Sequence, residues 1–316
     1  PVSHRHATCF DTYYPLPTTN YPLPTIDYPM KPPRLIAVLP TMLTLANGAC
    51  GFGAITFAAK LGPTVVTGST PVGAVQASFI AASLIFLAMV FDMLDGSVAR
   101  LMKQTSELGA QLDSLCDAIS FGVAPAFLML QFVTKELDQY GGLDYPSRLL
   151  WTIGMLYALC AIMRLARFNI ETDDDEDSHS EFSGLPSPAA AGVVAAFPFA
   201  MPSLVELIDE PNGWFLTRTA EWIIPAIRVA LPLITAAVAG LMVSRIRYPH
   251  FFAQLFSGQR TRRHVIQLVS LLAVVFIVHE LAVPLIFCWF AFASPVRAAW
   301  MNVVFDRLGL YKPRGV

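Results

Sequence analysis

From Leu35 onward apolar residues run in blocks broken by short polar stretches, at roughly 35–60, 72–101, 108–133, 147–168, 187–208, 222–244, 263–278 and 281–300. Most blocks approach the ~20 apolar residues with which a helix crosses a bilayer. The pattern predicts an all-α, polytopic membrane helical bundle. The last two blocks are short and separated only by His279 and Glu280, so they read as one long helix or as a tight hairpin. Charge placement separates those readings. With the N-terminus cytoplasmic and eight alternating spans, 16 Lys and Arg fall on the cytoplasmic side and 5 on the other, together the 21 in the chain. That asymmetry obeys the positive-inside rule. Seven spans would strand the basic C-terminus outside. We therefore expect about eight transmembrane helices with both termini cytoplasmic.

Residues 1–34 are different in kind. Eight prolines, at 1, 15, 17, 22, 24, 29, 32 and 33, cannot sustain a helix, and the segment reads as an extended or disordered arm. It lacks the basic and apolar regions of a signal peptide. The run from Glu171 to Glu181 is strongly acidic and reads as a solvated loop. The expected organisation is an arm (1–34), a membrane domain (35–255) and a C-terminal basic loop, hairpin and short tail (256–316).

Composition agrees with a membrane protein: 55% of the 316 residues are hydrophobic and 14% charged, against about 25% charged in a soluble domain. A net charge of −2 gives no sign of a nucleic-acid partner. The five cysteines have neither CxxC nor Cys/His metal spacing, so neither a disulfide framework nor a zinc site is expected.

Against that background four aspartates stand out: Asp92, Asp95, Asp113 and Asp117 interrupt apolar blocks. An unpaired carboxylate at the centre of a membrane helix costs at least ~2.5–3.5 kcal/mol and usually marks a functional site. A structural ion pair is the plainer explanation, but locally only Arg100 is at hand. Asp92 and Asp95 are spaced i,i+3, and Asp113 and Asp117 i,i+4, so each pair shares a helix face. The short turn at 101–108 makes their helices antiparallel neighbours. Clustered oxygen ligands without His or Cys favour a hard cation, Mg²⁺ or Mn²⁺. Gly96, Ala99 and Gly109 lie on the same faces. They allow close helix approach or leave room for a flat nucleotide.

The order Asp92, Asp95, Gly96, Ala99, Arg100, Gly109, Asp113, Asp117 resembles the signature of the CDP-alcohol phosphotransferases, with all eight positions matched across 26 residues. The stretch from Asp113 through Ala126 is similar to the phosphatidylserine synthase branch. So are Arg164–Asn169, Phe182–Pro188, Met242–Pro249 and the segment from Leu39 to Phe52, leaving the arm and the tail after about 255 unmatched. Thr41 stands where relatives often carry Asn.

The resemblance implies CDP-diacylglycerol as donor, L-serine as acceptor, and phosphatidylserine and CMP as products. It implies a multi-pass protein of the inner or plasma membrane with its site facing the cytoplasm, packed as a homodimer. On this reading Asp92, Asp95, Asp113 and Asp117 hold metal, and Asp117 is also the general base. Asp92, Gly96, Ala99, Arg100, Gly109 and Asp113 line the CDP site. Thr44 and Asn47 reach it from the first span, with polar packing as the alternative. Arg164, Arg167, Asn169, Gly184 and Ser187 are candidates for the acceptor or its phosphate, against interfacial snorkelling for the two arginines. Arg245 and Arg247 fit a lipid headgroup or phosphate, or equally a positive-inside anchor. Within the family, another polar alcohol or an archaeal-type lipid donor remains open. A cation-coupled transporter is the rival of another class, disfavoured by the signature spacing and the lack of an evident internal repeat.

Overall fold

The computed structural model describes residues 39–61, 72–102, 107–140, 145–174, 184–209, 214–244, 246 and 282–308. The elements along these stretches are all helical. In a bilayer that is the economical solution, because each helix satisfies its own backbone amides. In chain order they are α1 (Leu39–Ala59), α2 (Val72–Met102), α3 (Glu107–Asp117), a π-helical stretch (Ala118–Val123), α4 (Ala124–Gln131), a second π-helical turn (Phe132–Glu136), a 3₁₀ turn (Leu137–Tyr140), α5 (Ser147–Asp174), α6 (Ser187–Asp209), α7 (Trp214–Val243) and α8 (Ala282–Leu308).

Among the described residues six stretches are long and apolar enough to cross a membrane: α1, α2, the continuous run Leu108–Glu136, α5, α6 and α7. They coincide with the first six apolar blocks, and the chain is a multi-pass membrane protein. The block at 263–278 lies outside the described residues, as do the arm and Arg245 and Arg247. The final block is α8, whose apolar part, Ala282–Arg297, is shorter than the others. One boundary differs from expectation. Residues 171–174, read as the start of an acidic loop, are the last turn of α5. Nothing in them breaks a helix, since the next glycine is Gly184.

The run from α6 explains the centre of the bundle. Ala190, Ala191, Val193, Val194, Ala195 and Ala196 are fully buried, and α6 packs against α2, α7 and α8. Side chains this small bring helix backbones close, which is how membrane helices gain contact without a hydrophobic drive. On α5, Trp151, Met155, Leu159, Ile162 and Met163 are exposed at helical spacing, as a lipid-facing stripe should be.

α1 packs along α2 and also against α3 and the π stretch. The contact to the π stretch is close enough to require glycine. A methyl group on Gly51 would lie 2.7 Å from Ser120 Cα, and one on Gly48 would lie 2.8 Å from Cys116 Sγ. Gly51→Ala is therefore expected to push α1 off the π stretch and to cost roughly 1–3 kcal/mol, the usual range for overpacking. A lowered thermal midpoint in detergent would register it; an unchanged midpoint would show that α1 has room to move.

The π register itself has an identifiable cause. Pro125 offers no N–H to the Phe121 carbonyl four residues earlier. That carbonyl instead accepts a hydrogen bond from the buried Tyr157 hydroxyl on α5, at 3.1 Å. The Ala124 N–H reaches Ile119 O, one residue further back than an α-helix would. This displacement begins directly after Asp117, and such π turns recur at functional positions.

Candidate active site

The acidic groups meet where α1, α2, α3 and α5 converge. Asp92 and Asp95 come from the C-terminal third of α2, and Asp113 from the middle of α3. Each offers a carboxylate oxygen, and the three oxygens lie within 4.8 Å of one another. Asp95 is buried, whereas Asp92 and Asp113 are half-buried. Asp95 Oδ2 and Asp113 Oδ1 are buried without a hydrogen-bond partner among the described residues.

Three carboxylates this close repel strongly in a low-dielectric setting. Orphaned oxygens add a desolvation cost. A hard divalent cation answers both, and an all-oxygen donor set without His or Cys matches Mg²⁺ or Mn²⁺. The residues present therefore fit such an ion.

Asp117 stands one helical turn beyond Asp113 and is not one of the three. Its Oδ1 accepts a hydrogen bond from Asn47 Nδ2 of α1 at 2.8 Å. The Ser120 hydroxyl donates to the Asn47 carbonyl at 2.9 Å, tying the same turn of α1 to the π stretch. Thr44, one turn earlier, donates to Pro40 O at 3.0 Å and lies within hydrogen-bonding reach of Asp95. Both α1 side chains are buried, Asn47 against the Asp117 carboxylate and Thr44 bonded to its own helix.

One expectation about the helix pair needs correction. Among the described residues α2 and α3 are not packed side by side: their mutual backbone contact is sparse, and α1 bridges them. For Gly96 the geometry favours the second of its two readings, since a methyl group there would meet nothing within 4 Å. Facing carboxylates need the space that tight packing would remove, so the small residue opens a slot beside Asp95. Gly109 is half-buried near the start of α3. Ala99 and Arg100 lie on the last turns of α2, continuing the helix that carries Asp92 and Asp95.

A cation named as an acceptor candidate also reaches the cluster. Arg164, from α5, stands close enough to Asp92 to interact with it electrostatically. Its Nη1 donates to Ser187 Oγ at the start of α6, at 3.1 Å. Arg167 is exposed on the last turns of α5. Asn169 Nδ2 donates to Ser114 Oγ at 2.9 Å, joining α5 to α3 beside Asp113. Gly184 takes φ of +93°, and its N–H donates to Ile246 O at 2.9 Å; Leu185 N–H donates to Leu241 O at 3.1 Å. These bonds suture the entry to α6 onto the end of α7. A methyl group on Gly184 would be strained and would lie 2.5 Å from Met242 O.

Of the candidate residues, then, the fold gathers Asp92, Asp95, Asp113, Asp117, Thr44, Asn47 and Arg164 around one point. Ser187 joins them through Arg164, and Asn169 through Ser114. Ser114, Ser120 and Tyr157 had no mark in the sequence. Hydroxyls in helices usually bond their own backbone, and only the tertiary fold shows these three reaching across.

Several known proteins are similar to this chain in sequence. A CDP-diacylglycerol–serine O-phosphatidyltransferase of Mycobacterium tuberculosis is 33% identical over 191 residues, covering 58% of this chain and 56% of that protein. A Helicobacter pylori protein of the same name is 36% identical over 168 residues, or 53% and 60% of the two chains. An archaetidylserine synthase of Methanothermobacter thermautotrophicus is 32% identical over 213 residues, 67% of this chain and 69% of the other. The chain thus spans between about half and two thirds of the length of these relatives. The family model for CDP-alcohol phosphatidyltransferase matches residues 37–234, well over half of the chain and all of the site just described, and the protein belongs to that family.

Proposed function

We propose that the chain transfers a phosphatidyl group from CDP-diacylglycerol to the hydroxyl of L-serine, giving phosphatidylserine and CMP. The observation that carries this is the convergence of Asp92, Asp95 and Asp113 on one point, with Asp117 held beside them by Asn47 and open space beside Gly96. The printed names of the relatives support serine as the acceptor.

Asp92, Asp95 and Asp113 hold Mg²⁺ or Mn²⁺ which, when bound, neutralises negative charge on the pyrophosphate. Asp117 takes the proton of the serine hydroxyl as its oxygen bonds to the phosphatidyl phosphorus and the phosphoanhydride bond to CMP breaks. Gly96, Ala99, Arg100 and Gly109 bound the CDP site, with Thr44 beneath it. Arg164, with Arg167, Asn169, Gly184 and Ser187 around it, receives the serine carboxylate. Arg245 and Arg247 meet lipid phosphate. The membrane is the inner or plasma membrane, the site faces the cytoplasm, and the unit is a homodimer packed through membrane helices. The charge asymmetry of the sequence supports that orientation.

The archaetidylserine relative favours one variant of this reading, in which the same acceptor meets an archaeal-type lipid donor. The decisive assay uses protein in detergent with CDP-diacylglycerol or its archaeal-type counterpart, Mg²⁺ or Mn²⁺, and one of L-serine, glycerol 3-phosphate, myo-inositol 1-phosphate or no acceptor. Serine-dependent CMP release is expected. Release only with another alcohol discards serine; none from folded protein with either donor discards the reaction.

Arg164 gives this reading its own test. A charge-assisted hydrogen bond contributes roughly 1.5–3 kcal/mol, so Arg164→Ala is expected to raise the KM for serine by about 10- to 100-fold. The KM for CDP-diacylglycerol should change far less. Equal rises in both would move Arg164 to the donor side.

A further inference from the structure

We infer that Asn47 is a positioning residue that acts through Asp117 rather than a contact for the nucleotide. The inference rests on the proposed role of Asp117 as the group that takes the serine proton.

Four observations converge. Asn47 is fully buried, so it offers no surface to a ligand in the slot. Its Nδ2 donates to Asp117 Oδ1 at 2.8 Å, across 70 residues of chain. The bond commits one carboxylate oxygen, orients the group and leaves Oδ2 for substrate. The Asn47 backbone is fixed in turn, because its carbonyl accepts from Ser120 Oγ at 2.9 Å. Gly48 and Gly51, one and four residues further along α1, seat it so tightly on Cys116 and Ser120 that neither tolerates a methyl group without displacement. The chain has thus spent two glycines and a serine to hold one amide against one carboxylate.

The π stretch gives this arrangement its purpose. Asp117 is the last residue of α3, directly before the register slips. A donor from the neighbouring α1 fixes the carboxylate at that junction, and displacement of a reacting group by about 1 Å costs roughly 10²-fold in rate.

Three variants test it: Asn47→Leu, which keeps the volume but removes the donor, Asn47→Ala, and Asp117→Asn. Steady-state kinetics, CDP binding by calorimetry and thermal midpoints are measured on each. Asn47→Leu and Asn47→Ala are expected to lower kcat by roughly 10- to 100-fold, with CDP affinity unchanged and the thermal midpoint close to that of the parent. Combined with Asp117→Asn, either should add little, since both changes remove one function. Loss of CDP affinity in step with activity would make Asn47 a nucleotide contact and overturn the inference. So would parental kcat in Asn47→Leu, which would reduce the residue to packing. A fully active Asp117→Asn alongside a slow Asn47→Leu would instead locate the failure in the assignment of the base.

Discussion

Asp117→Asn is expected to lower kcat by roughly 10²–10⁴-fold, the span that a general base contributes, while leaving CDP and metal binding in place. The substitution is nearly isosteric, and the carboxylate it removes is not one of the three that cluster within 4.8 Å. What changes is the bond to Asn47, because two amides then face each other where an amide faced a carboxylate. Product release and lipid access should be untouched, so the loss belongs in the chemical step. Single-turnover mixing of CDP-diacylglycerol-loaded protein with serine reads that step directly. A variant with parental single-turnover rate would remove Asp117 from proton transfer. A variant that no longer binds Mn²⁺ would move it into the metal site.

How much of this could be read in the chain depends on the range of the interaction. Apolar blocks betray spanning helices because the bilayer tests each segment separately, so α2 and α6 begin and end close to the expected positions. The aspartates were equally visible, since a carboxylate is costly at that depth. Neighbour relations were another matter. A short turn between α2 and α3 argued for direct packing, yet α1 lies against both. Hydropathy reports that a face is buried and not which helix buries it. Arg164 could be named as a candidate, against the snorkelling ordinary for an arginine near a span end, but its electrostatic neighbour could not, since Asp92 is on another helix 72 positions away. The π register was invisible as well, although Pro125 and the Tyr157 hydroxyl that answers it are both plain in the sequence. Pairing them requires the fold.

The same distinction governs the role of the small residues. Gly48 and Gly51 bring α1 onto the end of α3 and the π stretch, whereas Gly96 borders open space. One residue type thus serves opposite ends within one site: the first two fix the wall that carries Asn47 and Thr44, and the third keeps the slot open. Spacing alone could not separate these uses, because Gly96 shares a helix face with the carboxylates just as a packing glycine would.

Removal of the divalent ion should have the largest effect of all. EDTA is expected to abolish serine-dependent CMP release, and Mg²⁺ or Mn²⁺ in excess to restore it. Lewis-acid neutralisation of a reacting pyrophosphate contributes several kcal/mol, so the loss should be roughly 10³-fold or greater. Asp95→Asn should reproduce that loss without chelator. Asp95 is the most buried of the three clustered carboxylates, and its Oδ2 has no other described partner. An amide there keeps the shape, retains a neutral oxygen and removes one charge from the cluster. Mn²⁺ binding followed by electron paramagnetic resonance should weaken in Asp95→Asn and Asp113→Asn and persist in Asp117→Asn. That contrast separates the ion's ligands from the base even where all three variants are inactive. If Mn²⁺ bound equally to all three, the close approach of Asp92, Asp95 and Asp113 would need a cation of the protein's own, and Arg164, within electrostatic range of Asp92, would be the group to test in its place.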